Sequence, residues 1–341
     1  MVSLKPERDK KSGVYYAATD DGFELPVVDV MHPGFALSVS GSEMDRLMQK
    51  HMQGLEQQRK APAFLQSIML RLMMRQSRLM RALSGAEGTY LGGVDTYLLK
   101  LGPDNMGKAY ASAIDRQIAA SLPGLSVRLR LQDVAYLLAD GLQPLLAAAS
   151  GQPLRFVNIG GGPAIDTLNA LMVLQRREAA LLQRRSIAVH VLDLDPSGPH
   201  FGARMLGALQ APGAPLNGLK IEFEHITYNW SDTAPLQNLL RSLDPQALVA
   251  ASSEGALFEY GSDTDIIRNL RVLHDESPGS AVLAGSVTRA DEIGRVMNSG
   301  SRAALQLRGI DAFLALARES GWSLAERIDR PISHDISLKK A

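Results

Sequence analysis

The stretch "FVNIGGGPAID", Phe156 to Asp166, places three consecutive glycines and a proline directly after a short apolar run. Glycine permits positive φ and lets backbone approach a ligand with no Cβ in the way. A strand, a Gly-rich turn and a helix start in succession offer unpaired backbone N–H groups to a nucleotide-type ligand. Pro163 lacks an N–H and has a preset φ, which suits the first helical turn. Gly160, Gly161, Gly162 and Pro163 are thus candidate ligand contacts. A second candidate lies in "VHVLDLDPSG", where an apolar run ends in Asp193 and then Asp195. An acid closing the strand after a Gly-rich turn is placed to accept hydrogen bonds from ribose hydroxyls. Each aspartate taken alone also suits a helix N-cap or a turn. The run "ALVAASSEG" ends in Ser252, Ser253 and Glu254, and Glu254 is a candidate polar contact or general base. As a lone residue it also reads as a solvated loop glutamate. His225 is a second candidate base, whereas His190, in the middle of an apolar run, reads as structural. No zinc-ligand cluster, nucleophile elbow or phosphate loop is present.

The elements that must position these residues follow two rhythms. From Ser40 to about Ala149 the pattern is helical. "LMQKHMQGLEQQRKAPAFLQSIMLRLMMRQSRLMRAL" is rich in Leu, Met, Gln and Arg and poor in β-branched residues. Pro62 starts a new helix in this reading. Leu65, Ile68, Met69, Leu72 and Leu79 recur at helical spacing, with Arg71, Arg75 and Arg78 on another face. Further helices are expected around Lys108–Ala120 and Leu131–Ala149. From Leu154 onward, short apolar runs alternate with helical stretches: "LRFVNI", "SIAVHVL", "GLKIEFEHITYNW", "QALVAAS", "SAVLAGSV" and lastly "WSLAERI". That alternation is the sign of βαβ units and a largely parallel sheet. The expected architecture is an α/β, doubly wound, Rossmann-like sheet over residues 151–341. A helical cap over residues 1–150 precedes it, and the boundary falls near Gly151–Pro153.

Composition narrows the partners. The 341 residues hold 36 Lys+Arg and 36 Asp+Glu, so no basic surplus points to nucleic acid. There is no cysteine, which excludes disulfides and thiolate metal sites. The N-terminus lacks the apolar core of a signal peptide, and no run approaches the roughly 20 apolar residues of a membrane span. The expectation is a cytoplasmic protein without a bound metal.

The Gly-rich turn and the acid of the next strand together resemble the class I S-adenosylmethionine-dependent methyltransferases. Gly160 and Gly162 match the first two glycines of that family's first motif, and Asp193 matches the acid of its second. Two positions depart: Asn158 stands where an acid is usual, and Ala164 stands at the third glycine. The resemblance spans roughly Leu154 to the C-terminus. It implies S-adenosyl-L-methionine as cofactor and a small-molecule methyl acceptor. It would pass Asn158 and Gly160–Pro163 under the methionine part, hold the ribose on Asp193 and lay Leu194 against adenine. It would bring Asp232 to the adenine amino group and set Ser252, Ser253 and Glu254 beside the transferred methyl. The alternatives are an NAD(P)-dependent oxidoreductase using the same turn and a non-catalytic nucleotide-binding protein. A dinucleotide fingerprint needs a third glycine where Ile165 stands. In the N-terminal part, "GTYLGGVDTYLLKLGPDNMG", with Tyr90, Tyr97, Asp104 and Asn105, reads as a lid or a plain connector. The Met/Leu face at Ile68–Leu79 suits an acceptor pocket, core packing or a homodimer contact between N-terminal helices; the Arg71, Arg75 and Arg78 stripe also admits a membrane surface, although this apolar face carries no Trp or Phe.

Overall fold

The computed structural model describes residues 10–60, 62–85, 91–298 and 305–341. A hairpin of β1 (Tyr16–Ala18) and β2 (Glu24–Pro26) comes first. The helices α1 (Gly41–Lys60), α2 (Ala63–Gln76), α3 (Arg78–Gly85), α4 (Gly93–Leu101), α5 (Ala113–Ala119) and α6 (Leu122–Ala148) follow. Strands and helices then alternate. They are β3 (Leu154–Ile159), α7 (Ile165–Glu178), β4 (Ile187–Asp193), α8 (Ser197–Leu209), β5 (Ile221–Thr227) and α9 (Ala234–Ser242). Next come β6 (Leu248–Ser253), α10 (Leu257–Tyr260), α11 (Asp263–Glu276), β7 (Ala281–Thr288) and α12 (Glu292–Asn298). The chain closes with α13 (Ile310–Glu319), β8 (Trp322–Asp329) and β9 (Ser333–Lys340).

The main sheet runs β5-β4-β3-β6-β7-β9-β8. β3 to β7 are parallel, and β9 is antiparallel to both of its neighbours. Five strands thus keep the doubly wound order, and the chain reverses direction across the sheet between β3 and β6. The exception has a local cause. Only Arg330–Ile332 separate β8 from β9, too few residues for a crossover, so the pair must be antiparallel. The expected apolar runs all became strands. β9 was not expected, because a parallel alternation leaves no place for a closing hairpin.

Central strands covered on both faces must be apolar on both. Phe156, Val189 and Val191 pack on one side with Leu138, Leu168 and Phe201. Val157, Ile159 and Val249 pack on the other with Leu270, Phe313 and Trp322. The first of these layers changes the meaning of the N-terminal region. α6 starts nine residues before the expected Leu131, with Ser121 as its N-cap. Its Val134, Leu138 and Leu142 share a core with Phe156 of β3. The expected boundary near residue 150 therefore falls between a helix and a strand that belong to one layer. The hairpin, α3, α4 and α5 reach the same core through Leu25, Leu79, Tyr97 and Ala119. Lys108–Ala120 yields only α5, because Ser112 and Asp115 form a capping box that starts the helix there.

Ion pairs tie α6 to the sheet's far half. Arg330 donates to both oxygens of Asp133 on α6, at 2.6 and 2.8 Å. Asp335 of β9 is fully buried nearby. Burial and the adjacent Asp133 push its carboxyl up to about 8, against the pull of Arg130. Below about pH 3.8 both folded and unfolded chains hold this proton, and between there and about 8 only the folded chain does. Stability should therefore fall as pH rises through that window. Asp335→Asn should flatten the slope of urea-unfolding free energy between pH 5 and 8. A slope equal to that of the wild type would show that Asp335 is not the group responsible.

Candidate active site

The turn after β3 reverses the chain through Gly160 at φ 65°, Gly162 at φ 55° and Ala164 at φ 50°. The glycines are demanded by protein as much as by any ligand. A Cβ on Gly160 would lie 2.4 Å from the Ala256 Cβ, and one on Gly161 would lie 1.9 Å from the Asn158 Oδ1. A Cβ on Gly162 would lie 2.9 Å from the Gly93 Cα, and one on Gly198 would lie 2.7 Å from the Gly162 Cα. Three backbones meet there: the start of α4, the turn and the start of α8. A valine at Gly160 or Gly162 would strike the fold before it struck a ligand.

Asn158 was expected at the cofactor, but its side chain lies behind the turn. It is fully buried, and its Nδ2 donates to Asp166 Oδ1 at 2.8 Å and to Ser252 Oγ at 2.9 Å. It thus joins β3 to α7 and β6. Ser252 is occupied by that bond. Ser253 Oγ accepts from Leu257 N at 3.1 Å, at the start of α10. Asp232 is exposed, and its Oδ1 accepts from Ala234 N at 3.1 Å as α9 begins. His225 Nε2 donates to the Asp193 carbonyl at 2.9 Å, which fixes its tautomer. None of these five side chains lines the cavity described next.

That cavity, of about 320 Å³, opens over the carboxyl ends of β3, β4, β5 and β6. Its walls are Gly160–Pro163, Leu192–Asp195, Tyr228–Trp230 and Glu254–Ala256, closed by Gly92, Gly93, Thr96 and Lys100 of the α4 segment and by Arg130 of α6. This is the point where strand order reverses, the usual ligand crevice of an open α/β sheet. Asp193 Oδ2 accepts from Gly162 N at 2.9 Å, and its Oδ1 accepts from Asp195 N at 3.0 Å. Burial pushes its carboxyl above the ordinary range, while the two N–H groups oppose the shift. Asp193 therefore braces the turn and still faces the cavity. Asp195 instead starts α8, accepting from Ser197 N at 3.0 Å and Ser197 Oγ at 2.7 Å. Leu194 is 52% exposed over the cavity.

At one wall Glu254 is almost wholly buried rather than solvated. Lys100 Nζ donates to its Oε2 at 2.5 Å, and Arg130 Nε lies 3.5 Å from Oε1. Arg130 also pairs with Glu259. Burial pushes the Glu254 carboxyl up, against the pull of Lys100 and Arg130. Its Oε1 makes no hydrogen bond. Lys100, Arg130 and Glu259 were not among the expected site residues. A signal for Lys100 did exist: it interrupts the apolar run Leu98, Leu99, Leu101, and lysine is almost never buried unless paired.

The lining carries four carboxylates, Asp193, Asp195, Glu254 and Glu259, against Lys100 and Arg130, a formal −2. The three helix N-termini that converge here each carry an acid: Asp95 on α4, which pairs with Arg78, Asp166 on α7 and Asp195 ahead of α8. Among the described residues no group of three or more His, Asp or Glu could hold a metal ion. Of the expected lid, Tyr90 lies outside the described residues. Tyr97 is buried, donating to the Pro26 carbonyl at 2.7 Å, and Asn105 ties Leu101 to Gly34. The cavity-lining part of that segment is Leu91–Gly93, Thr96, Leu99 and Lys100.

No family model matches the sequence, and no curated protein does. Among solved structures, a possible exported protein from Bordetella parapertussis is 16% identical. It covers 91% of this chain and 99% of its own, with a TM-score of 0.55. That likeness is one of fold. Weaker likenesses include magnesium protoporphyrin IX methyltransferase from Synechocystis with bound SAM. It is 13% identical, covers 63% of this chain and 84% of its own, and has a TM-score of 0.36. Another is 1,6-didemethyltoxoflavin-N1-methyltransferase from Burkholderia thailandensis. It is 15% identical, covers 60% of this chain and 78% of its own, and has a TM-score of 0.34.

Removing one partner of a buried ion pair strands the other charge. Lys100→Met should cost about 3–5 kcal/mol of unfolding free energy at pH 8, and adding Glu254→Gln to it should recover most of the loss. A Lys100→Met cost below about 1 kcal/mol in urea titrations would mean that the pair does not hold α4 in place.

Proposed function

We propose that this chain is an S-adenosylmethionine-dependent methyltransferase acting on a small-molecule acceptor. The observation that carries the proposal is the sign of the crevice. A Gly-rich turn with an acid on the next strand is a nucleoside site, and both nicotinamide and methionine cofactors contain a nucleoside. They differ in charge at the turn. A dinucleotide brings a pyrophosphate, which needs an unneutralised helix N-terminus or a basic lining. Here each helix start has its own acid and the lining is formally −2. A cationic sulfonium suits that field, and a pyrophosphate does not. A cavity of about 320 Å³ also lies near the small end of the usual range for ligand sites.

The residues that line the cavity supply the contacts this cofactor would need. Asp193 would accept from the ribose hydroxyls on lone pairs left over from Gly162 and Asp195. Leu194, exposed at the rim, would lie against adenine. Gly160 and Gly162 would leave their backbone open to the amino-acid end. When bound, the cofactor supplies an activated methyl group, so the protein's task is to position an acceptor and, where needed, hold its proton. Glu254 is the group for that task. Lys100 holds one of its oxygens, and Oε1, buried 3.5 Å from Arg130 Nε, makes no hydrogen bond and would accept from an acceptor N–H or O–H that reaches it. The acceptor is therefore expected to carry such a donor next to the atom methylated.

Calorimetry should show S-adenosylhomocysteine binding and no binding of NAD. Asp193→Ala should weaken the former by about tenfold or more, the loss of a charge-assisted hydrogen bond. Binding of NAD in place of S-adenosylhomocysteine would replace this reading with an oxidoreductase. In a methyl-release assay across candidate acceptors, Glu254→Gln should lower kcat/KM by at least about tenfold more than it weakens S-adenosylhomocysteine binding measured on the same variant. Wild-type turnover in Glu254→Gln would remove it from the site.

A further inference from the structure

Of the readings open for the apolar face of α2, core packing does not hold, because the face points outward. Phe64, Leu65, Ile68, Met69 and Leu72 are 47–64% exposed, five of the nine large exposed hydrophobics among the described residues. Leu79, read as part of the same face, is buried on α3 instead. At 100° per residue the five span an arc of about 140° along a helix about 21 Å long. Arg71 and Arg75, both exposed, fall at one edge of that arc. Leu70, Met73 and Met74 are half-buried on the other side of the helix. A contiguous apolar patch this exposed marks an interaction surface.

The charge around it identifies what covers it. Residues 57–86 contain Arg59, Lys60, Arg71, Arg75, Arg78 and Arg81 and no acid, in a chain that is neutral overall. Arg78 is neutralised by Asp21 and Asp95. Lys60, Arg71 and Arg75 are exposed to solvent. We propose that α2 is an interfacial anchor whose apolar face enters an anionic lipid surface while Arg71, Arg75 and Lys60 engage the headgroups. An apolar arc with a basic edge and an aromatic residue at one end is the composition of a helix that lies in the plane of a bilayer. Among the described residues no helix is long and apolar enough to span a membrane, so the attachment is peripheral. A second copy of the chain fits the face less well. Two α2 helices packed antiparallel about a two-fold axis would bring Arg75 of one copy toward Lys60 of the other, with no acid in either segment to offset the repulsion. A polyanion such as RNA would meet the arginines and leave the apolar arc uncovered. This inference is independent of the reaction proposed above.

Flotation of the full chain with vesicles tests it. Binding should be at least about tenfold tighter to vesicles with about one-third phosphatidylglycerol than to phosphatidylcholine alone, and should weaken at high salt. Ile68→Ser/Leu72→Ser changes only exposed side chains, so circular dichroism should stay as in the wild type while vesicle binding is lost. Arg71→Ala/Arg75→Ala should weaken binding to the anionic vesicles by more than about tenfold. Three outcomes would overturn the proposal. One is no preference for anionic vesicles. Another is binding that survives the serine substitutions, which would be a polyanion contact. The third is a dimer in sedimentation equilibrium that Ile68→Ser/Leu72→Ser dissociates, with no vesicle binding by the wild type.

Discussion

The close approach of three backbones at Gly93, Gly162 and Gly198 fixes where everything else in the site can be. Each Cβ that these residues lack would fall within 3.0 Å of a neighbouring Cα. Only glycine lets α4, the turn after β3 and α8 share one point. That contact brings α4 down onto the sheet's carboxyl edge, and the descent of α4 delivers Lys100 to Glu254. The same contact sets Gly162 N within reach of Asp193. A cavity closed on one side by an N-terminal helix and floored by the turn is the consequence. The buried Lys100–Glu254 pair then makes the arrangement costly to open, because separating it would leave a charge without a partner.

Much of this was legible in the residues. The strand boundaries of β3 matched the run "LRFVNI" end to end, because Pro153 stands just before it and the Gly-rich turn ends it. Gly160, Gly162 and Asp193 line the cavity, and turn chemistry and the acid on the next strand are the local signals that singled them out. What was not legible depends on contacts far apart in sequence. Asn158 and Ser252 stand at strand ends that look like ligand positions, yet they hydrogen-bond each other across β3 and β6. Lys100 and Glu254 are separated by 154 residues, and no spacing rule links them. The face of α2 illustrates a different limit. Helical periodicity shows that an apolar stripe exists but not what it faces, and here it faces outward. α6 shows the converse: an ordinary helical run proved to be a layer of the main sandwich rather than part of a cap.

The electrostatics give these placements a common direction. A crevice at a strand-order reversal is a general solution, shared by cofactors of opposite charge character. Asp166 on α7 and Asp195 ahead of α8 oppose the positive helix ends that a pyrophosphate would use. Asp193 is held by two backbone N–H groups and remains part of the lining. Glu254 has one oxygen held by the Lys100 ammonium and the other 3.5 Å from Arg130 Nε without a hydrogen bond.

The most direct test of this account is a crystal structure grown with S-adenosylhomocysteine. The account predicts density in the cavity over Gly160–Gly162, with the Asp193 carboxylate on the ribose hydroxyls and Leu194 against the adenine. The homocysteine sulfur should point toward the wall formed by Glu254 and Lys100. An empty cavity at saturating ligand, or ligand bound with its ribose away from Asp193, would contradict it.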